Sequence, residues 1–235
     1  MQIVLVPGLM NDGWVWRDQV GPLSRIAPVT IACNDGGGSL VDHARRILDM
    51  ARGRIAVAGH SMGGRIALEV VRLAPERVVG LAVLNTGIHG PREAERAGRE
   101  ELVAIGRKDG MRPVAESWMP QMLAAARRGD TALIDGIAEM LCRCPPEVFA
   151  SQQASMLTRN DLGDVLPGIR VPTLVVTGEE DGWSPPARHE AIAAAIPGSV
   201  LRIVPGAGHM LPVEDPAATT ALLVDWAERV KATLA

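Results

Sequence analysis

The chain of 235 residues has no tyrosine, one phenylalanine and three cysteines. The lack of tyrosine excludes any mechanism that needs a phenol. Cys142 and Cys144 are too close along the chain for an ordinary disulfide, and no second pair of cysteines could complete a zinc site with them. We expect ordinary thiols, and we expect neither a metal nor a cofactor.

Strong charge and long hydrophobic runs are also absent. The formal net charge is −3 and no basic stripe appears, which argues against nucleic acid or an anionic membrane surface as a partner. The first residues have no basic segment typical of a signal peptide, and no run approaches the roughly 18 apolar residues that a membrane span needs. We expect a cytoplasmic protein that acts on a small molecule, either as a monomer or as a homodimer.

Six short apolar runs are typical of buried strands, and helical patterns separate most of them. The runs are residues 2–6, 29–33, 54–58, 78–84, 173–177 and 200–204. Short buried strands that alternate with helices predict an α/β fold with a mostly parallel sheet covered on both faces.

One interval breaks this alternation. Residues 87–161 have helical periodicity throughout, with breaks that indicate four helices and no strand. We interpret this block as a helical cap over the carboxyl ends of the strands, where such folds bind ligands. The remaining residues, 1–86 and 162–235, are expected to form the core domain.

The most informative motif is G-x-S-x-G at residues 59–63, because a strand-like run leads into it and an amphipathic helix follows it. A serine on so tight a turn projects its hydroxyl beyond the end of the sheet, and the flanking glycines fit the crowded backbone. Ser61 is therefore the candidate nucleophile.

A serine hydroxyl needs a base to take its proton. Of the five histidines, His209 is favoured because it follows the last strand, at the same edge as Ser61. His60 adjoins the serine but points away from it on such a turn, which indicates a structural role. His43 and His189 lie in helical surface patterns, and His89 opens the cap.

The base in turn needs an acid that orients it. Asp181 lies just beyond the strand at 173–177, with Glu179 and Glu180 as competitors. The corresponding position after the preceding strand is the uncharged Asn85, which favours Asp181.

Two backbone N–H groups must stabilise the tetrahedral intermediate. The N–H of Met62 begins the helix after Ser61, and the N–H of Leu9 lies in the loop after the first strand. We expect these two amides to form the oxyanion hole.

Together these motifs resemble the α/β-hydrolase superfamily, specifically its small, cap-bearing esterase and lactonase-like members. The resemblance spans nearly the whole chain and rests on PGL at 7–9, GHSMGG at 59–64, GEEDGWSPP at 178–186 and GAGHMLPVEDP at 206–216. It implies a Ser61 nucleophile, a His209 base, an Asp181 acid and an oxyanion hole from Leu9 and Met62. A serine at position 61, in the turn after the third apolar run, disfavours the haloalkane dehalogenase branch, which needs aspartate at that position.

Two features depart from the family pattern. Members usually carry a histidine where this chain has Pro7, and they usually have two strands before the strand at 2–6. The resemblance therefore implies a sheet shortened to about six strands at its N-terminal side.

The substrate is expected to be small and hydrophobic, because the candidate pocket residues are apolar. These are Met10, Trp14, Trp118, Met122, Trp183 and Met210. Arg65, Arg92 and Arg143 are candidates to bind a substrate carboxylate. The leading hypothesis is hydrolysis of a carboxylic ester or lactone through an acyl-enzyme. The alternatives are hydrolysis of a carbon–carbon bond in a vinylogous diketone, or a ligand-binding or acyl-transfer protein that retains the triad.

Overall fold

The computed structural model, which describes residues 1–234, contains one sheet of six parallel strands. The strands are β1 (Gln2–Val6), β2 (Val29–Ile31), β3 (Ile55–His60), β4 (Val78–Leu84), β5 (Thr173–Gly178) and β6 (Val200–Val204). Their order across the sheet is β2-β1-β3-β4-β5-β6, and every neighbouring pair is parallel. The predicted six-stranded parallel sheet is confirmed.

Helices cover both faces of the sheet. The ten α-helices are α1 (Arg17–Ser24), α2 (Leu40–Met50), α3 (Met62–Leu73), α4 (Arg96–Asp109), α5 (Met111–Met122), α6 (Thr131–Cys142), α7 (Pro146–Leu157), α8 (Pro186–Ala195), α9 (Leu211–Glu214) and α10 (Pro216–Ala232). Helices α1 and α10 pack together on one face, and α2 and α3 pack together on the other.

Strand β1 shows why both faces need a cover. Ile3 and Leu5 pack into the core on the side of α1 and α10, whereas Val4 and Val6 pack into the core on the side of α3. All four side chains are fully buried. Successive side chains of a strand point to opposite faces, so a strand that is apolar throughout must be buried on both.

Two strands end two residues away from the positions that the apolar runs predict, and β5 ends one residue later than predicted, at Gly178. Strand β2 ends at Ile31 rather than residue 33, and β3 continues to His60 rather than ending at residue 58. The extension follows from pairing, because Gly59 and His60 continue the ladder with β4. The apolar run predicts too short a strand because it ends at Ala58, whereas the backbone hydrogen bonds between β3 and β4 continue to His60.

Four α-helices, α4 to α7, lie between β4 and β5, and no strand occurs there within the described residues. Helix α4 packs against α5 and α7, and α5 packs against α6. We call residues 87–161 the insert. Its apolar side chains, including Phe149 and Ile137, belong to the same core as those of α1 and α10.

The strand order places the carboxyl ends of β1 and β3 side by side, with the chain leaving them toward opposite faces. Such a reversal opens a crevice at the carboxyl edge of a parallel sheet, where ligands bind. The loop after β1 and the turn after β3 therefore meet at this crevice.

Two searches of residues 1–234 gave negative results. No helix in that range is long and apolar enough to cross a membrane. No group of three or more histidine, cysteine, aspartate or glutamate side chains in that range could hold a metal ion.

Candidate active site

Ser61 forms the turn between β3 and α3 with backbone angles that residues with side chains rarely adopt. Its φ is 55° and its ψ is −118°, outside the common regions for L-residues. A methyl group at Gly59 would collide with the carbonyl oxygen of Gly63, and one at Gly63 would collide with that of Val6. The turn therefore needs glycine at both positions.

Side chains from the ends of three strands form one hydrogen-bonded chain. His209 Nε2 lies 2.9 Å from Ser61 Oγ, and His209 Nδ1 lies 3.0 Å from each carboxylate oxygen of Asp181. Because an ionised carboxylate only accepts, Nδ1 carries the ring hydrogen and Nε2 accepts from the serine hydroxyl. The ring is held in the tautomer that can remove the serine proton.

Asp181 is a buried carboxylate with a full set of donors. Its Oδ1 accepts the backbone N–H groups of Trp183 and Ser184 at 3.0 and 2.8 Å, and its Oδ2 accepts the side-chain amide of Asn85 at 2.9 Å. Burial alone would raise the pKa of Asp181, but the His209 ring and these N–H groups outweigh burial and hold the pKa well below its ordinary value. The carboxylate therefore stays ionised.

The two competing glutamates lie elsewhere on the surface. Glu179 accepts the backbone N–H of Gly206 at 3.2 Å, and Glu180 accepts that of Ala125 at 2.7 Å. Both side chains are exposed. Of the three acidic residues in this run, Asp181 is the one that the structure brings to the histidine.

The loop after β1 runs beside the serine. A Cβ atom at Gly8 would lie 3.2 Å from the Cβ of Ser61. The backbone N–H groups of Leu9 and Met62 have no hydrogen-bond acceptor among residues 1–234. Both are free to donate to an oxygen atom bound next to the serine.

The insert holds this loop in place. Met10 has a φ of 61°, and its N–H donates to Gln152 Oε1 at 2.8 Å. Gln152 Nε2 donates to the carbonyl of Asn34 at 3.0 Å, and Asn34 Nδ2 donates to the carbonyl of Pro7 at 2.7 Å. Because Gln152 belongs to α7, the shape of the loop depends on a residue more than a hundred positions away.

His60 packs against the loop that carries His209, residues 205–210, which we call the histidine loop. Its Nε2 donates to the backbone carbonyl of His209 at 2.8 Å, and its Nδ1 faces the side-chain amide of Asn11 at 3.3 Å. Burial, with the nearby His209, lowers the pKa of His60 to about 3. The His60 ring is neutral and both of its nitrogen atoms face hydrogen-bonding partners, which indicates a structural role.

The prediction that His43 and His189 lie on surface faces of helices is wrong. Both side chains are buried. His189 Nε2 accepts the backbone N–H of Thr86 at 2.9 Å, and His43 Nδ1 accepts from the Arg46 guanidinium at 2.8 Å. Burial lowers the pKa of each ring to about 4. For His189 the polar pattern is misleading because that face of α8 contacts Thr86, which follows β4 at the carboxyl edge of the sheet.

Glu214 is a buried carboxylate that the sequence patterns did not single out. It accepts the backbone N–H groups of Ala124, Gly208 and Met210 at 2.8, 3.1 and 2.9 Å. Burial raises the pKa of Glu214, and these N–H groups limit the rise. Since Gly208 and Met210 flank His209 and Ala124 belongs to the insert, one carboxylate ties the histidine loop to the insert.

Ser61 and His209 open into a cavity of about 700 Å³. Part of its wall is aromatic: the Trp183 ring centroid lies 4.9 Å from that of His209 and 5.2 Å from that of Trp118. The predicted pocket residues that line the cavity are Trp118, Met122, Trp183 and Met210.

The structure places Met10 and Trp14 away from this cavity, contrary to expectation. Met10 is buried and lines a separate cavity of about 360 Å³. The Trp14 ring packs against Gly136 of α6. Because the chain turns at Met10 and enters a short 3-10 helix at Gly13–Trp16, the side chains after Leu9 lead away from the serine.

The cavity is also less apolar than predicted. Its charged lining residues are Arg65, Arg92, Arg99, Arg159, Arg188 and Glu95. Two of the three arginines proposed from the sequence, Arg65 and Arg92, are among them. Arg143 lines the second cavity instead and pairs with Asp12 at 2.7 Å.

Comparisons with known proteins identify the family and the fold. A family model described as alpha/beta hydrolase family matches residues 3–222. The malate-bound structure of a thermophilic esterase from Thermogutta terrifontis has a TM-score of 0.88 and 28% identity, and the match covers 98% of this chain and 90% of that one. The enol-lactonase from Burkholderia xenovorans LB400 has a TM-score of 0.86 and 25% identity, with 97% and 91% covered.

The chain is also similar to a short part of a much larger protein. The polyketide synthase ThaQ of Burkholderia thailandensis is 29% identical over 233 residues. The alignment covers 88% of this chain and 11% of that protein. The similarity concerns one segment of the synthase.

Proposed function

Since the chain belongs to the alpha/beta hydrolase family, we propose that it hydrolyses small carboxylic esters or lactones through an acyl-enzyme on Ser61. The observation that carries this proposal is the unbroken chain from Ser61 Oγ to His209 to Asp181. The esterase and lactonase among the similar structures support the same bond type.

In the acylation step, Ser61 Oγ attacks the carbonyl carbon of the substrate while His209 Nε2 takes the hydroxyl proton. The developing oxyanion accepts from the N–H groups of Leu9 and Met62. The intermediate collapses when the carbon–oxygen bond to the alcohol breaks, and His209 returns the proton to the leaving oxygen. Asp181 stabilises the imidazolium formed in between.

Deacylation repeats these roles with water as the nucleophile. His209 removes a proton from water while the water oxygen bonds to the acyl carbon, and the bond to Ser61 Oγ breaks as His209 returns the proton to that oxygen. With a lactone the alcohol remains part of the acyl chain, so one product leaves after water adds. The triad itself treats both substrates alike.

The test compares wild-type enzyme with Ser61→Ala on p-nitrophenyl acetate, ethyl butyrate and γ-butyrolactone. We expect kcat to fall by about four orders of magnitude or more in Ser61→Ala, because the attacking group is gone. Ser24→Ala, at an exposed serine of α1, is the matched control and should retain wild-type turnover. If purified Ser61→Ala keeps more than about a tenth of kcat, Ser61 is not the nucleophile.

A further inference from the structure

The charged residues of the cavity wall are mostly positive. Five arginines and one glutamate line it, so the wall carries a net positive charge next to a serine with no charge of its own. Clustered like charges repel, and solvent, carboxylates or a ligand must offset the repulsion. The partners of each arginine therefore show which charges the protein has already balanced.

Two of the arginines form ion pairs with Glu95, whose single negative charge offsets part of their positive charge. Arg159 pairs with Glu95 at 2.7 Å and also donates to the backbone carbonyls of His89 and Gly90, each at 3.0 Å. Arg99 pairs with Glu95 at 3.0 Å. Burial would raise the pKa of Glu95, but the two guanidinium groups lower it to about 2. This cluster holds the start of α4 against the end of α7.

Arg65 is not balanced in this way. It is 8% exposed, and it has no carboxylate partner among residues 1–234. Its Nη1 donates to the carbonyl of His89 at 2.9 Å, whereas Nε and Nη2 have no acceptor within that range. Burial, with the nearby Arg159, lowers the pKa of Arg65 to about 9 although Glu95 opposes this shift, and the group stays charged at neutral pH. Because Glu95 already pairs with Arg99 and Arg159, Arg65 is a buried cation with no directly paired carboxylate, which is unfavourable.

Arg188 brings a second guanidinium to the same place. Its Nη1 donates to the carbonyl of Trp183 at 3.0 Å, and it forms no ion pair within the described residues. A Cβ atom at Gly87 would lie 3.0 Å from Arg65 Nη2 and 3.9 Å from Arg188 Nη1. The two guanidinium groups therefore converge on the space that a side chain at Gly87 would occupy.

This space lies close to the nucleophile. Arg65 lies about one helical turn after Ser61, which is the N-cap of α3, and both residues line the same cavity together with Gly87 and Arg188. A ligand whose carbonyl lies at the serine can therefore extend toward the two guanidinium groups within that cavity. Paired guanidinium groups suit the planar, bidentate geometry of a carboxylate.

We propose that Arg65 and Arg188 form a carboxylate-binding subsite beside Ser61, and that the substrate is a short ester or lactone that itself carries a carboxylate. The inference rests on the proposed ester or lactone hydrolysis for the role of Ser61. The half-ester of a short dicarboxylic acid is the simplest molecule of this class. Its carboxylate supplies the counter-ion that the protein lacks, while its ester carbonyl reaches the serine.

The experiment measures binding without turnover, in the Ser61→Ala background, by calorimetry. The probes are monoethyl glutarate and its neutral isostere ethyl glutaramate, in which an amide replaces the carboxylate. We expect the half-ester to bind about 10- to 100-fold more tightly, as charge-assisted hydrogen bonds would produce. Adding Arg65→Met or Arg188→Met should bring the ratio of the two dissociation constants close to one. Arg143→Met removes the same charge at the second cavity and should leave the ratio unchanged.

The outcomes separate this inference from the proposed function. Equal binding of the two probes overturns the subsite, as does tighter competition by inorganic phosphate than by glutarate. If wild-type enzyme hydrolyses ethyl butyrate but the probes bind equally, the subsite fails and ester hydrolysis stands. If the half-ester binds preferentially and Arg65→Met abolishes the preference, the subsite stands even where wild-type enzyme cleaves neither ester. The two arginine variants check each other against a folding defect at one of them.

Discussion

Two regions at the cavity differ in how their charges are paired. The triad edge is formed by Ser61, Asp181 and His209, and the arginine wall is formed by Arg65, Arg92, Arg99, Arg159 and Arg188. At the triad edge, Asp181 accepts from the His209 ring, from two backbone N–H groups and from Asn85. At the arginine wall, Arg65 is also buried but has no directly paired carboxylate among the described residues. The protein completes its own reaction machinery and leaves the wall for a ligand to complete.

The two regions also differ in where their residues come from. Ser61, Asp181 and His209 each follow a strand of one sheet, so the sheet brings them to one edge. The arginines come from α3, from the insert and from α8, and their arrangement depends on how these elements pack. Changes at the triad edge should therefore act on chemistry, and changes at the wall on substrate choice.

The largest effect should come from breaking the triad edge at its acid. Asp181→Asn keeps the size of the side chain but removes the charge that fixes the His209 tautomer, so kcat should fall by about 10⁴-fold. Circular dichroism should show an unchanged fold. Glu180→Gln is the matched control, since its carboxylate lies on the surface, and it should retain wild-type kcat. A severe loss in Glu180→Gln with a mild one in Asp181→Asn would show that the triad is wrong at its acid.

A smaller effect should follow from loosening the histidine loop at Glu214. Glu214→Gln replaces an acceptor oxygen with an amide group that faces backbone donors, so stability should fall by about 2 kcal/mol. Because the displaced N–H groups flank His209, we expect kcat to fall by about tenfold. Urea unfolding and steady-state kinetics provide the two readouts.

The neighbouring carboxylate is the control for this change. Asp215 caps α10 by accepting the backbone N–H of Ala218 at 2.9 Å. Asp215→Asn should lower stability by no more than about 1 kcal/mol and should leave kcat unchanged. Equal kinetic effects of the two substitutions would show that Glu214 acts only on general stability.

The prediction with the smallest effect on activity concerns acid stability and two buried histidines outside the triad, His43 and His189. The pKa values of His43 and His189 are about 4 in the folded chain, whereas an unfolded histidine titrates near 6.5. Between these values the unfolded state binds more protons, so the free energy of unfolding should fall as the pH drops from about 6.5 to 4. At pH 5 the loss is at most about 2 kcal/mol for each ring.

Substitution at His43 tests this pH dependence. His43→Gln should flatten the slope of unfolding free energy against pH, measured by urea titration at several pH values. His89→Gln, at an exposed ring, should leave the slope unchanged. Equal slopes in wild type and His43→Gln would contradict the assignment.

The sequence predicted those features that depend on a few consecutive residues. The six strands, the turn at Ser61 and the positions of Asp181 and His209 follow from apolar runs, glycine spacing and strand ends. The contacts of Asn85 with Asp181 and of Glu214 with Ala124 did not follow, because these partners lie 96 and 90 residues apart in the chain.

The errors in the sequence analysis have the same physical origin. His189 looked like a surface residue because helical periodicity does not show which element packs on a polar face, and here that face meets Thr86. The sequence could name Arg65 as a candidate to bind a carboxylate, but its convergence with Arg188 at Gly87 arises only on folding. Role assignments within the site stay predictions until the variants are measured.

The most direct test of the account is covalent trapping of the nucleophile. The enzyme is incubated with diisopropyl fluorophosphate, and the product is analysed by intact-protein mass spectrometry and peptide mapping. The account predicts one phosphoryl adduct per chain on the peptide containing Ser61, absent in Ser61→Ala and formed far more slowly in His209→Gln. An adduct on another residue, or equal labelling of Ser61→Ala, would contradict it.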